Sequence, residues 1–395
     1  MKKRSIVACS GGPDSMALLD QLYKEGHELV VAHVNYKKRE TADRDEMYVR
    51  QYCEKRGLCL RVLYPVYDGK TNFQSWARMA RYQFFFDLAK EEETDRIYVA
   101  HHLDDHIETY LFQKRRHMLC DTFGLASVVR MHGFRILRPL LMSTKKELEA
   151  YCIKQGISYG IDESNLTDDY TRNQIRHEVI DGLSLSEKKS LAKMIKQENK
   201  ELDVRRMRAR KFIDSWSRDV ASLSKEADAW FILDVWLYEK IGKHLSKKHL
   251  CSLLEQMQKD CLIDLGAYDL ESFQGFLYSK KKQDVQEHVF TSLTYGKYPG
   301  FSLEICGQKM ESVHLEPSDF PIRVRTVQKG DRIQLRFGSK KVARFFVDRK
   351  IPKIYRKDWL VLENKAGKVI FVPGIGCDVE HFSIKPNMFM IQYLT

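Results

Sequence analysis

The sequence predicts an α/β domain, a parallel sheet with crossover helices, followed by a helical region and a small α+β domain. Three observations carry this expectation. Short β-branched apolar runs alternate with helical patterns through about the first 140 residues. The first junction is a glycine-containing turn, Ser10-Gly11-Gly12-Pro13-Asp14-Ser15, at the carboxyl end of the first run, where open parallel sheets hold ligands. The texture then shifts to long helical patterns from Leu183 and to alternating β patterns around Tyr295. The expected divisions are 1–182, 183–294 and 295–395.

Residues 5–9 read as a buried strand, and 16–22 have helical apolar spacing, so 10–15 form a strand-to-helix turn. Adjacent glycines permit positive φ and let successive N–H groups converge, while the helix start adds the positive end of its dipole. That combination cradles an anion. The hydroxyls of Ser10 and Ser15 can add donors. Asp14 would repel a bare phosphate, so its place in the cradle calls for a magnesium ion between the two. No lysine follows and GxxxxGK[ST] is absent, which excludes a Walker loop. A plain strand–turn–helix junction remains the alternative for the hexapeptide taken alone.

The next strand is read at 28–34, ending at Asn35, followed by a charged helix over 39–56, a strand over 60–66, a helix over 73–93, a strand over 96–100 and a helix from about Asp104. His33, Asn35 and His101 then fall at the same strand ends as Ser10 to Ser15. His33 is either a satisfied core histidine or a ligand contact. Asp105 and Glu108, three apart, share a helical face and can converge on a cation or ammonium group. Asp104 stands at the helix start, where capping competes with catalysis. Arg78 and Arg81 lie on an otherwise apolar and aromatic helix, as solvated charges or as anion contacts beside the cradle. After the apolar stretch 136–141 a helix is capped at Ser143 or Thr144, with Glu147 completing a capping box from Thr144. Residues 162–165 and 170–176 close the unit.

Farther on, Arg205, Arg206, Arg208, Arg210 and Lys211 form a basic run, read either as a solvated helix face or as an RNA contact. Trp216, Trp230 and Trp236 read as core. Residues 340–352 read as a short basic helix ending before Pro352. Lys+Arg total 66 against Asp+Glu 54, a net charge of +12, which favours a polyanionic partner, nucleic acid ahead of an anionic membrane. No run of 18 apolar residues occurs, and Met-Lys-Lys-Arg leads directly into a strand, so neither a spanning helix nor a signal peptide is expected, and a cytoplasmic protein is. The 9 cysteines include no CxxC, which argues for reduced thiols rather than a disulfide, zinc or iron–sulfur framework.

The loop at 10–15 and the segments 77–82, 101–109, 138–141 and 162–176 occur in the order seen in tRNA(Ile)-lysidine synthetases. The first 180 or so residues therefore resemble that branch of the N-type ATP-pyrophosphatase (PP-loop) family. The C-terminal part is similar to the terminal domain of its longer members. This resemblance implies an adenine nucleotide alpha hydrolase-like PP-loop domain and ATP-dependent ligation of L-lysine to carbon 2 of the wobble cytidine of CAU-anticodon tRNA(Ile). Pyrophosphate and AMP would be released through an adenylated-tRNA intermediate. It implies nucleotide binding by Ser10, Gly11, Gly12, Pro13, Asp14, Ser15, His33, Asn35, Arg78 and Arg81, with magnesium on Asp14. Asp14, His101, Asp105, Glu108 and Arg172 would carry catalysis, and the helical and C-terminal regions would bind tRNA. The oligomeric state, a homodimer included, is left open. One departure is that Arg116 is followed by His117-Met118-Leu119-Cys120, where the family has a small glycine-rich segment, so the conformation of that loop is not implied. Two rivals are a tRNA thiolase on the same fold, disfavoured by the lack of CxxC, and a non-catalytic tRNA-binding protein.

Overall fold

The structure, a computed structural model, describes residues 4–38, 41–67, 69–70, 72–160, 175–282 and 287–393, with side chains 177 and 178 excepted. It divides into two compact units, 1–205 and 206–395.

The first unit is the expected parallel sheet. Its elements are β1 (Ser5–Ala8), α1 (Pro13–Lys24), β2 (Leu29–Val34), α2 (Ala42–Arg56), β3 (Cys59–Leu63), α3 (Phe73–Glu91), β4 (Arg96–Tyr98), α4 (Leu103–Arg115), β5 (Val128–Met131), β6 (Phe134–Leu137) and α5 (Lys145–Gln155). Strand order is β3-β2-β1-β4-β6-β5, parallel except for the β5–β6 pair. The chain runs outward from β1 to β3 and then returns to β4 on the other side of β1. The carboxyl end of β1 is thus a topological switch point, which is where such sheets leave a crevice.

Alternation along the strands fills both faces. In β1, Val7 joins the core beneath α1, α2 and α5 with Met16, Leu18, Leu19, Val49 and Leu148. Its neighbour Ile6 faces Phe85, Phe86 and Leu88 of α3. Burial of each such side chain contributes about 1.5–3 kcal/mol, enough to fix the register that aims the strand ends. The antiparallel hairpin β5–β6 is an addition to the expected pattern; its signal is His132-Gly133, both at positive φ, which suits a two-residue hairpin turn. The expected capping box forms: Thr144 Oγ1 accepts from Glu147 N–H and Glu147 Oε2 accepts from Thr144 N–H.

In the second unit β structure begins at Cys261, earlier than the pattern at Tyr295 indicates. After the helices Val220–Lys225, Ala229–Ile241 and Lys247–Gln256, three antiparallel strands (Cys261–Asp264, Tyr268–Phe273, Phe276–Lys281) precede a four-stranded and a seven-stranded sheet. These strands are short and interrupted by turns, so their alternation is brief. Trp216 and Trp236 are buried against each other, as core, and the basic helix of 340–352 is Val342–Asp348. No described helix is long and apolar enough to cross a membrane.

Candidate functional site

The β1–α1 turn shapes the cradle with one positive φ rather than two. Gly11 has φ +90°, and a Cβ there would sit 2.8 Å from the Asp45 carbonyl oxygen, so only glycine fits. Gly12 is the extended N-cap of α1, with φ −78°, and no side chain caps the helix. Pro13, at the first helical position, has no N–H to leave unpaired and suits the start of the helix. The Ser15 hydroxyl works inside the turn, donating to Gly12 O (3.0 Å) and accepting from Ser10 N–H (3.1 Å). It therefore holds the shape of the loop instead of adding a donor for a ligand, while the hydroxyl of the exposed Ser10 lies 3.1 Å from it.

Asp14 points from this turn toward His102. Its Oδ2 lies 3.5 Å from His102 Nε2, and its buried Oδ1 meets no hydrogen-bond donor among the described residues. A buried carboxylate oxygen without a donor, next to an uncapped helix start, fits a hard divalent cation such as magnesium.

His102, to which the sequence pattern assigns no role, connects the two halves of the site. It is the N-cap of α4: its Nδ1 accepts from Asp104 N–H (3.2 Å), while its own N–H donates to Asp105 Oδ2 (3.1 Å). Its Nε2 lies 3.5 Å from both Asp14 Oδ2 and Asp105 Oδ2. Burial disfavours charge on the ring, but the contact with Asp14 and the charges of Asp105 and Asp104 outweigh it and raise its pKa. Asp104 is accordingly not the cap. It accepts from Lys145 N–H (3.1 Å) and pairs with Lys188 (2.7 Å), tying α4 to α5 and to the long helix Leu185–Ser215.

Asp105 and Glu108 share a face of α4 and converge on a cation, as their spacing implied. That cation is Arg176, whose Nη2 lies 3.0 Å from Asp105 Oδ1 and 2.7 Å from Glu108 Oε2. A continuous chain of contacts, Asp14–His102–Asp105–Arg176–Glu108, thus joins the cradle to the carboxylate pair. Arg172 lies outside the described residues, as do the turn formers Asp162 and Asn165.

The cleft beside the loop is lined by Ser10, Ser15, His33, Asn35, Tyr36, Phe73, Arg81, Tyr82 and His101, among others. His101 Nδ1 accepts from Arg138 Nε (3.2 Å), which puts the ring proton on Nε2. Burial, opposed by Asp105 and reinforced by Arg138, Arg78 and Arg81, pushes its pKa down to about 4. His101 is therefore a neutral hydrogen-bond donor, suited to stabilising developing negative charge and unsuited to taking up a proton. Asn35 lines the cleft, but its amide is committed: Nδ2 donates to Asp43 Oδ1 and Glu46 Oε2 (2.8 Å each), and Oδ1 accepts from Lys37 N–H. It positions the β2–α2 turn. Arg81 reaches the cleft, whereas Arg78 lies over the Tyr82 ring at 4.8 Å, next to that wall.

The atypical loop after Arg116 is anchored rather than loose. Gln113 accepts from Gly124 N–H, His106 Nδ1 accepts from Leu125 N–H, and Asn199 of the long helix bonds both N–H and C=O of Phe123. At Gly124 the loop passes so close to α4 that a Cβ would lie 2.6 Å from the His106 ring.

Residues 1–183 match the PP-loop domain family, and residues 322–388 match the TilS substrate C-terminal domain. The chain is 28% identical to the tRNA(Ile)-lysidine synthase of Bacillus subtilis (strain 168), across 98% of this chain and 93% of that protein. The chain belongs to the tRNA(Ile)-lysidine synthase family. Against the tRNA(Ile)-lysidine synthase of Ureaplasma parvum serovar 3, identity is 39% over 50% of this chain and 61% of the relative. A bifunctional protein TilS/HprT of Listeria monocytogenes serovar 1/2a is 28% identical over 98% of this chain and 67% of its own length. These matches favour neither the thiolase nor the non-catalytic reading. Chemistry agrees for the thiolase: Cys9, beside the cradle, is a buried thiol with its pKa pushed up to about 11 by desolvation, and Cys152 is pushed up to about 12.

His102, Arg138 and Arg176 are the functional candidates that sequence reasoning leaves without a role. The signal for His102 is the doublet His101-His102 before Leu103-Asp104-Asp105. Arg138 and Arg176 stand inside the segments that carry the resemblance, but only the fold reveals that one fixes His101 and the other bridges the carboxylates.

Proposed function

We propose that this cleft adenylates the wobble cytidine of a CAU-anticodon tRNA(Ile) and then passes the activated carbon 2 to lysine. The observation that supports this reading is the contact chain from Asp14 to Glu108, because it joins the glycine turn to a pair of carboxylates able to receive an ammonium group. In the first step the cytidine O2 attacks the α-phosphorus of ATP, and the bond to pyrophosphate breaks. The N–H groups at the start of α1 hold the departing phosphates, and the neutral His101 donates toward developing negative charge. Magnesium, bound at Asp14, would neutralise phosphate charge.

In the second step the ε-nitrogen of lysine bonds to carbon 2, the C2–O2 bond breaks, and AMP leaves with that oxygen. Lysine arrives as an ammonium and must lose a proton before attack, which assigns Asp105 and Glu108 to orienting it and accepting that proton. Their present partner Arg176 must therefore share or yield the carboxylates when lysine binds. tRNA affinity is assigned to the basic helix around Arg205 to Lys211 and to the C-terminal unit, and the reaction to the cytoplasm. The test is incorporation of labelled lysine into unmodified tRNA by purified protein with ATP and magnesium.

A further inference from the structure

We infer that His33 selects the nucleotide, by accepting at Nε2 one hydrogen bond from a donor of the ATP nucleoside. This rests on the assignment of the cleft to ATP and adds to it the atom and the direction of the bond. The ring is 2% exposed and forms part of the cleft wall. Its Nδ1 lies 2.9 Å from the carbonyl oxygen of Cys9, the residue before the cradle. A carbonyl cannot donate, so Nδ1 carries the proton and Nε2 presents a lone pair. That Nε2 is buried and meets no donor among the described residues. A buried acceptor without a partner destabilises the fold, and a ligand donor removes the penalty. Burial also holds the pKa of His33 below its usual value, so the ring stays neutral and keeps its acceptor.

Polarity then restricts the ligand. Phosphate oxygens are acceptors and are not recognised by a neutral lone pair, which excludes the triphosphate as the partner of Nε2. Tyr82, Phe85, Val34 and Val99 line the same cleft and suit a base and ribose. The donors on that part of ATP are the exocyclic 6-amino group of adenine and the ribose hydroxyls. Guanine presents a 6-oxo acceptor where adenine has its amino donor, so if the amino group is the partner GTP is rejected as well as left unrecognised.

The test is tRNA-dependent pyrophosphate release by the full chain with ATP, GTP, purine riboside triphosphate, 2′-deoxy-ATP and 3′-deoxy-ATP. It compares wild type with His33→Asn, whose amide nitrogen can keep the Cys9 bond, and with His33→Gln, which restores a polar group near the Nε2 position. Wild type is expected to use one of the analogues lacking a donor with kcat/KM lower than ATP by about three- to tenfold. In His33→Asn ATP falls by that factor and the preference disappears, while His33→Gln retains part of it. The affected analogue identifies the donor: purine riboside triphosphate for the amino group, a deoxy-ATP for a hydroxyl. An unchanged preference in a folded His33→Asn overturns the assignment, as does equal use of ATP and every analogue by wild type. If wild type releases no pyrophosphate from ATP at all, the ATP reading of the cleft fails and this inference falls with it.

Discussion

Replacing Glu108 by Gln removes a charge that holds Arg176 while keeping the shape of the side chain. Glu108 is 13% exposed and Arg176 is 29% exposed, so this pair is neither fully buried nor on the open surface. Breaking a fully buried ion pair on one side costs about 3–5 kcal/mol, and an exposed pair is worth about 1 kcal/mol or less. Intermediate exposure places the loss at about 1.5–3 kcal/mol, or roughly ten- to 150-fold in rate where the pair acts on the reacting group. If Asp105 and Glu108 receive the lysine ammonium, that loss falls on transfer alone. The assay measures pyrophosphate release and lysine incorporation separately. The expected result is near-normal pyrophosphate release, accumulation of adenylated tRNA, and transfer partly restored by excess lysine. Parallel loss of pyrophosphate release, restored by magnesium instead of lysine, would make the carboxylates a metal site and not a lysine site.

Asp14→Asn is expected to abolish adenylation at ordinary magnesium, since a neutral amide is a poor ligand for the ion; near-normal AMP formation by a folded variant would remove Asp14 from the site. Changing Arg205, Arg206 and Arg208 to Glu is expected to weaken tRNA binding and flatten the slope of log K against log salt by about 0.7–0.9 for each phosphate that the variant no longer neutralises, and an unchanged slope returns the run to a solvated helix face. In the second unit, His381 is held by Asp378 (2.5 Å) and Asp319 (2.9 Å), which raise its pKa to about 9 against burial. Because the folded value exceeds the unfolded value of about 6.5, its stabilisation is complete below pH ~6.5 and is lost as pH rises through about 9. The loss reaches at most about 3 kcal/mol. Urea melts of this unit's transition across that range should show the decline, and His381→Asn should flatten it; a flat wild-type profile contradicts the imidazolium assignment.

Much of the sheet was legible because β1 and β2 are almost wholly apolar and helices carry their own punctuation, such as Pro13 at the start of α1 and the Thr144–Glu147 box of α5, whereas Arg130 and Arg135 interrupt the β5–β6 hairpin. The shape of the β1–α1 turn was legible for the same reason: its geometry is local, dictated by Gly11 and the helix that follows. Contacts formed only by folding were not. Arg176 is 68 residues beyond Glu108 in sequence, so spacing could place the carboxylates on one face but could not name the cation between them. His101 illustrates the other limit. Its position at a strand end was readable, but its tautomer and low pKa depend on Arg138 and on burial, neither of which a local pattern contains. The β structure from Cys261 was missed because strands of 4 to 6 residues joined by tight turns give too few alternations to stand out.

Coupling of tRNA adenylation to attack by lysine can be followed in one reaction mixture. It contains the purified chain, unmodified CAU-anticodon tRNA(Ile), ATP labelled at the α-phosphate, magnesium, and lysine either withheld or added. Without lysine the label is expected to become attached to tRNA with release of pyrophosphate. Adding lysine should then discharge it as AMP while lysine enters the RNA one for one. Incorporation of lysine with no tRNA-linked AMP at any time, or AMP formed on lysine instead of on RNA, would contradict that coupling.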